Sequence, residues 1–129
     1  MFLVDTSVWI KVFQKSMPLN LSELVSFDEM VTSLPIIQEV LQGFREEDAY
    51  RVAREAMFSL PIVDSPLPRE RVEEAVSIYR TARKNGLTIR SSVDCLIGAS
   101  AIFHNLTVLH TDRDFSSITK ISSLKVKTL

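Results

Sequence analysis

The sequence predicts an α/β domain in which helices cover both faces of a central, mainly parallel sheet. Short apolar segments of the kind found in buried strands recur along the chain, and segments with helical spacing of apolar residues separate them. Prolines and a glycine mark several of the boundaries between these segments. Strands that alternate with helices form βαβ units, and such units give a parallel sheet between two helical layers.

The length and composition predict one ordinary globular domain. With 129 residues, of which 46% are hydrophobic, we expect a single domain over residues 1–129. We find neither an apolar run of membrane-spanning length nor the pattern of a signal peptide. Cys95 is the only cysteine, which excludes an internal disulfide framework and predicts a reducing cytoplasm as the setting. The formal net charge of −1 does not by itself indicate nucleic-acid binding.

The first half of the chain begins with a strand and continues mainly with helices. Phe2-Leu3-Val4 fits a strand that is buried on both faces, and apolar residues resume with helical spacing soon after it. Pro35 suits the first turn of a helix, because the backbone N–H that it lacks has no partner there. The predicted elements are a strand at 2–4, a helix at about 6–14, a short helix at 20–27, a strand at 30–32, and helices at 35–44 and 46–58.

The second half contains the longest predicted helix and the clearest predicted strand. The long helix ends where Gly86 can adopt left-handed backbone angles. We expect Val72, Val76 and Tyr79 of this helix to face the core, since they recur with helical spacing. The predicted elements are a short strand or extended link at 61–63, helices at 69–85 and 92–104, a strand at 107–109 and a last strand near residue 126.

Acidic residues fall where the predicted strands end or where the following helices begin. Asp5 directly follows the first strand, and Asp112 and Asp114 come just after the strand at 107–109. Asp94 lies in the first turn of a predicted helix, and Glu39 lies in the helix after the second strand. Ligands of open parallel sheets bind beyond the carboxyl ends of the strands, so several carboxylates are expected to meet at one edge.

Carboxylates that converge repel one another unless protons or a cation compensate their charge. Mg²⁺ and Mn²⁺ are hard cations that prefer oxygen ligands, and a bound ion of this kind can activate water for attack on a phosphodiester. The pattern therefore indicates one candidate chemistry, which is metal-assisted hydrolysis at the edge of the sheet.

Two of these acids also have explanations that involve no site. Asp5, Thr6 or Ser7 can cap the helix that follows the first strand, because their side chains accept a hydrogen bond from a free backbone N–H. Glu39 lies outside the apolar stripe of its own helix, where exposure to solvent is the default. The residue pattern alone leaves the structural and functional explanations open.

The later acids and their neighbouring arginines have similar alternatives. Ser91 to Asp94 fits the S-x-x-D capping pattern, and Asp112 and Asp114 are common turn residues. Arg90 and Arg113 flank the acids, and each is a candidate to bind an RNA phosphate. Exposed arginines that merely balance nearby acids are an equal alternative for both.

Four stretches of the chain, taken together and in order, resemble the PIN domains, and specifically the VapC ribonuclease toxins of bacterial toxin–antitoxin pairs. The matching stretches are Leu3-Val4-Asp5-Thr6-Ser7, Pro35–Gly43, Ser92–Ile97 and Leu109–Phe115. No single stretch is specific, but four in this order and at these spacings span essentially the whole chain.

This resemblance implies a PIN-like α/β/α fold and a Mg²⁺- or Mn²⁺-dependent endoribonuclease that forms no covalent intermediate. It implies that Asp5 and Asp94 are the principal metal ligands, and that Glu39 and Asp112 complete an acidic pocket directly or through waters. The residues implied to help arrange the site are Thr6, Ser7, Thr111 and, with a less defined role, Asp114. The expected partners are the RNA substrate, a cognate VapB-type antitoxin and a second copy of the toxin in a homodimer.

Other classes of function remain as alternatives. A phosphohydrolase of the haloacid dehalogenase type also has Asp at the end of its first strand, but it needs a second Asp where this chain has Ser7. A glycine-rich phosphate loop cannot be built, because the chain has only three separated glycines. A non-catalytic module could use the acidic edge to bind a basic peptide, although four acids favour an enzyme. Cys95 is expected to be a small buried side chain, since no histidine–acid pair lies near it in sequence.

Overall fold

In a computed structural model that describes residues 1–111 and 115–129, five strands and six α-helices follow one another along the chain. The strands are β1 (Phe2–Val4), β2 (Met30–Ser33), β3 (Ile62–Val63), β4 (Thr107–His110) and β5 (Lys125–Thr128). The helices are α1 (Thr6–Phe13), α2 (Leu34–Leu41), α3 (Glu47–Phe58), α4 (Arg69–Lys84), α5 (Ser92–Phe103) and α6 (Ser116–Ile121). All strand pairs are parallel, so the predicted α/β class is confirmed.

The order of the strands across the sheet places a topological switch point between β1 and β4. The order is β3-β2-β1-β4-β5. The strands that follow β1 in sequence, β2 and β3, lie on one side of it, and the last two strands, β4 and β5, lie on the other. At this reversal the N–H of Asp5 donates to the carbonyl oxygen of Leu109 at 2.9 Å, which joins the ends of β1 and β4. Such a topological switch point is where open α/β sheets bind their ligands.

The central strands are covered on both faces. Leu3 and Val4 are consecutive residues whose side chains point to opposite faces of β1, and both are fully buried. The same holds for Val108 and Leu109 of β4. Helices pack on both faces, and the main core includes Val8, Ile36, Met57, Ile97 and Ile118 from five of them. No helix in the described part of the chain is long and apolar enough to cross a membrane.

Two short helical segments of the structure differ from the prediction for local reasons. The helix predicted at 20–27 is replaced by two short 3₁₀ turns, Leu21–Glu23 and Phe27–Glu29. Only Leu21 and Val25 of this stretch are buried core residues, so it has no continuous apolar stripe to stabilise a longer helix. Helix α6 was not predicted, because its six residues carry little apolar periodicity, although Ile118 anchors it in the core.

The prediction that Val72, Val76 and Tyr79 face the core was wrong. Each of these side chains is at least 40% exposed. The buried residues of α4 are Arg71, Ala75 and Ala82, which lie on a neighbouring stripe of the same helix. Small residues allow close packing of two helices, and Ala75 packs in one cluster with Cys95 and Ala99 of α5. Helical spacing therefore identified α4 but not the side that it buries.

The end of α4 follows the prediction made from Gly86. Its φ of +71° lies in the left-handed region, which glycine adopts without steric strain. The N–H of Leu87 donates to the carbonyl of Ala82 at 2.9 Å, and the N–H of Gly86 donates to that of Arg83 at 3.1 Å. This is the Schellman arrangement, and it turns the chain toward the segment that leads into α5.

Candidate active site

Asp5 lies at the switch point and is fully buried. It follows β1 directly and has 0% exposure. It is also the N-cap of α1, since its Oδ2 accepts a hydrogen bond from the backbone N–H of Ser7 at 3.0 Å. Of the three residues considered as the cap, Asp5 and not Thr6 or Ser7 has this role. The Asp5 carboxylate can therefore cap α1 and also belong to the candidate site.

Ser7 connects the start of α1 to the segment after β4. Its Oγ accepts from the N–H of Thr111 at 3.1 Å, and its carbonyl oxygen accepts from Thr111 Oγ1 at 3.2 Å. Because the N–H of Ser7 also donates to the Asp5 carboxylate, one residue contacts both the end of β1 and the segment after β4. The two residues predicted to help arrange the site, Ser7 and Thr111, are therefore joined directly by two hydrogen bonds.

Thr6 brings Glu39 toward Asp5. Thr6 Oγ1 donates to Glu39 Oε1 at 2.8 Å, which links the first turn of α1 to α2. Glu39 is half-buried, so it does not have the solvent-exposed position that periodicity alone suggested. A carboxylate from a second helix therefore lies beside the residue that follows Asp5.

Asp94 is buried in the first turn of α5. This helix ends three residues before β4 begins, so its first turn points toward the carboxyl edge of the sheet. The side chain of Ser91 makes no capping hydrogen bond in the described structure, although the N–H of Asp94 donates to the Ser91 carbonyl at 3.1 Å. A capping box formed by the Ser91 hydroxyl thus does not explain the burial of Asp94.

Cys95 has the properties of an inert buried thiol. Burial, and then the neighbouring charge of Asp94, raises the pKa of Cys95 to about 11. The thiolate is the reactive form of cysteine, and it is scarce at neutral pH when the pKa is this high. The prediction of a small buried side chain agrees with this environment.

The remaining predicted site residues are placed only in part. Asp112, Arg113 and Asp114 lie outside the described residues. Arg90 is exposed in the segment just before α5. Within residues 1–111 and 115–129, no three or more histidine, cysteine or acidic side chains form a group that could hold a metal ion. Mg²⁺ usually keeps several waters and takes one or two carboxylates from the protein, so a smaller set of acidic ligands is compatible with it.

One buried acidic residue, Asp64, was not predicted. It directly follows β3, as Asp5 follows β1, and its side chain is only 4% exposed. Its position after a strand was the sequence signal that could have identified it. The short apolar segment at 61–63 did not by itself establish a strand, so this signal was weak. Its partners come from α4 and from the end of α5.

Comparisons with protein families and relatives agree over nearly the whole chain. The family model described as PIN domain matches residues 2–121. A protein of Mycobacterium bovis named VapC ribonuclease Mb1587 is 33% identical over 132 aligned positions, which cover 97% of this chain and 96% of that protein. Ribonuclease VapC11 of Mycobacterium tuberculosis shows the same identity and coverage.

Solved structures with a similar fold come from toxin–antitoxin complexes. VapBC2 from Rickettsia felis, bound to a DNA fragment from its promoter, has a chain that matches with a TM-score of 0.77 and 18% identity, covering 99% of this chain and 98% of that one. DNA-bound VapBC from Salmonella typhimurium gives a TM-score of 0.78 at 17% identity, covering 98% and 96%. At these identities the likeness concerns the fold.

Proposed function

This chain belongs to the PIN domain family and groups with the VapC ribonucleases, and we propose that it is a metal-dependent endoribonuclease toxin. The observation that carries the proposal is the fully buried Asp5 at the switch point, with Glu39 hydrogen-bonded to the next residue, Thr6. The carboxyl edge of an open parallel sheet is where such folds bind ligands, and carboxylate oxygens are the donors that a hard divalent cation prefers. We expect the protein to act in the cytoplasm, where its single cysteine stays reduced.

The acids of this edge would hold Mg²⁺ or Mn²⁺. Asp5 and Asp94 would be the principal ligands, and Glu39 and Asp112 would contribute directly or through waters. When bound, such an ion supplies an activated water and neutralises charge on the phosphate during in-line attack. Oxygen donors of this kind are the ones that these hard cations prefer.

Other residues of the chain would orient the acids and the substrate. The hydrogen bond from Thr6 fixes the direction of the Glu39 carboxylate, and Ser7 fixes that of Asp5. Arg90 is exposed close in sequence to Asp94, where its guanidinium can bind an RNA phosphate. Arg113 is proposed for the same role, and Asp114 is proposed to support the acidic pocket.

The test is cleavage of single-stranded or looped RNA by the purified chain. We expect cleavage with Mg²⁺ or Mn²⁺, complete loss in EDTA, and recovery when Mn²⁺ is added in excess. The control is the same RNA with the metal and no protein. Cleavage that persists unchanged in EDTA would rule out the metal mechanism, and binding of RNA or basic peptides without cleavage would favour a non-catalytic module.

We propose a VapB-type antitoxin as the regulatory partner. Similar solved structures are of VapBC complexes, including VapBC-5 of Mycobacterium tuberculosis. A basic side chain of the antitoxin would meet the carboxylates of the acidic edge in a charge-assisted hydrogen bond. The antitoxin gene is expected beside the gene for this chain. In the cleavage assay, its purified product should block the reaction, and unchanged cleavage would contradict this part of the proposal.

We also propose that the free protein is a homodimer formed through α4. The exposed residues Val72, Val76 and Tyr79 line an apolar groove of about 330 Å³ between α4 and α5. A two-fold interface uses the same patch on both copies, so an apolar stripe on one helix can cover its equivalent on the other. Aromatic and aliphatic side chains of this kind are typical of the centre of such interfaces.

A charge in this stripe should prevent dimer formation. We expect Val76→Asp to sediment as a monomer at micromolar concentrations at which the parent is a dimer, because the buried charge would be unpaired. Val52→Asp is the matched control, since Val52 is also an exposed valine, on α3 and outside this groove. A monomeric parent, or a dimeric Val76→Asp variant, would show that this surface does not form the dimer.

A further inference from the structure

A polar network around the buried side chain of Asp64 connects α5 to the end of β3. The Asp64 carboxylate accepts a hydrogen bond from Ser100 Oγ at 2.6 Å, and it lies 2.8 Å from His104 Nε2. Asp64 has a φ of +55°, in the left-handed region that aspartate tolerates better than most residues. Ser100 is buried in the last part of α5, and His104 is the residue at which that helix ends.

Arg71 extends the network to α4. Its side chain is buried, and its Nε lies 3.3 Å from Asp64 Oδ2. The guanidinium also lies over the ring of Phe103 on α5, 3.4 Å from the ring centroid. Glu74 is 3.4 Å from Nη1 of the same arginine. One carboxylate and one guanidinium therefore tie the segment after β3 to both helices of the α4–α5 pair.

The ionised form of Asp64 is favoured by these partners. Burial by itself raises the pKa of Asp64, but the hydrogen bonds from Ser100 and His104 and the charges of His104 and Arg71 outweigh it, so the pKa lies below its usual value. Buried ion pairs seldom stabilise a fold more than apolar residues of similar volume do. The distinctive property of the network is instead its geometry, because hydrogen bonds to a single carboxylate fix the position and rotation of α5.

We propose that Asp64 is a positioning residue, which holds α5 so that Asp94 keeps the place required for metal binding. Ser100 lies six residues after Asp94 on the same helix, which is about 9 Å along the helix axis. A helix transmits a small rotation or shift at Ser100 to its first turn, since its backbone hydrogen bonds make it stiff. This inference rests on the proposed metal-dependent function, and it assigns a role to an acid that is not among the proposed metal ligands.

The test compares Mn²⁺ binding by the parent with that by Ser100→Ala and Asp64→Asn. Ser100→Ala removes one hydrogen bond and little volume, so the protein should remain folded. We expect both variants to bind Mn²⁺ about 5- to 10-fold more weakly in calorimetric titrations. Mutation of a residue that hydrogen-bonds directly to a metal ligand typically lowers metal affinity or activity by about 10- to 100-fold. A smaller loss is expected here because Asp64 acts on Asp94 from a greater distance. The KM for RNA at saturating Mn²⁺ should stay unchanged, because the RNA-binding surface is not altered.

Two further variants separate positioning from simple loss of stability. Met57→Val removes volume from a fully buried site on α3, so it should lower the melting temperature without changing the Mn²⁺ affinity. His104→Gln keeps an N–H donor for Asp64 and should bind Mn²⁺ nearly as the parent does. Parent-like Mn²⁺ binding by Ser100→Ala would overturn the positioning role and leave the proposed function intact. A parent that neither binds Mn²⁺ nor cleaves RNA would overturn both.

Discussion

The Asp94→Asn variant is expected to cleave RNA roughly 1,000-fold or more slowly than the parent at saturating Mn²⁺. Asn has nearly the shape of Asp but lacks the negative charge that a metal ligand supplies. Asp94 is buried in the first turn of α5 and is proposed as one of the two principal metal ligands. Initial rates of cleavage measured on one RNA substrate give the comparison, and circular dichroism checks that the fold is retained.

The control for this variant is the same chemical change at an acid away from the edge. Asp48 is exposed on α3, where it pairs with Arg51 at 2.6 Å. Exposed ion pairs contribute little to stability, so Asp48→Asn should cleave and melt like the parent. If the Asp94→Asn variant cleaves at a rate within about threefold of the parent, Asp94 is not a metal ligand for the reaction.

The Asp5→Asn variant is expected to gain stability and lose activity together. In the proposed site the carboxylates repel one another when no metal is bound, so removing the charge of the fully buried Asp5 should relieve this repulsion. We expect the free energy of unfolding to rise by about 1 kcal/mol at low salt, and the gain to shrink as salt screens the charges. Asn caps helices about as well as Asp, so the N-cap of α1 should be kept.

The same variant should lose RNA cleavage by a factor comparable to that of Asp94→Asn. A purely capping role predicts instead that stability, metal response and cleavage all stay near the parent values. The opposite signs of the stability and activity changes are what distinguish a site residue from a structural one. Asp48→Asn again provides the control, because it changes the net charge equally without altering the acidic edge.

The fold could be predicted because short strands and long helices leave clear patterns in the sequence. Phe2–Val4 and Thr107–His110 combine apolar residues with burial on both faces, and they are neighbouring inner strands of the sheet. The orientation of α4 could not be predicted, because two neighbouring stripes of this helix share the same spacing. Which stripe packs against α5 depends on contacts with small residues of another helix, such as Ala99.

The candidate site was predictable where a carboxylate follows a strand. Asp5 is recognisable in this way, since the carboxyl edge of a parallel sheet is a general place for ligands. Glu39 is not, because its proximity depends on a hydrogen bond from Thr6 across 33 residues of sequence. Asp64 also follows a strand, but that strand has only two residues and gave a weak signal, and its partners Ser100 and His104 lie 36 and 40 residues away. Contacts between distant segments of this kind leave no local pattern.

Thermal unfolding of the parent and of Asp5→Asn, followed at increasing Mn²⁺ concentration, tests the central claim most directly. The parent's melting temperature should rise with Mn²⁺, since a ligand at 100 times its dissociation constant stabilises the folded state by about 2.7 kcal/mol. The variant should melt higher than the parent without metal and respond to Mn²⁺ much less. Equal responses of the two proteins to Mn²⁺, with cleavage intact in the variant, would contradict a metal site built on Asp5.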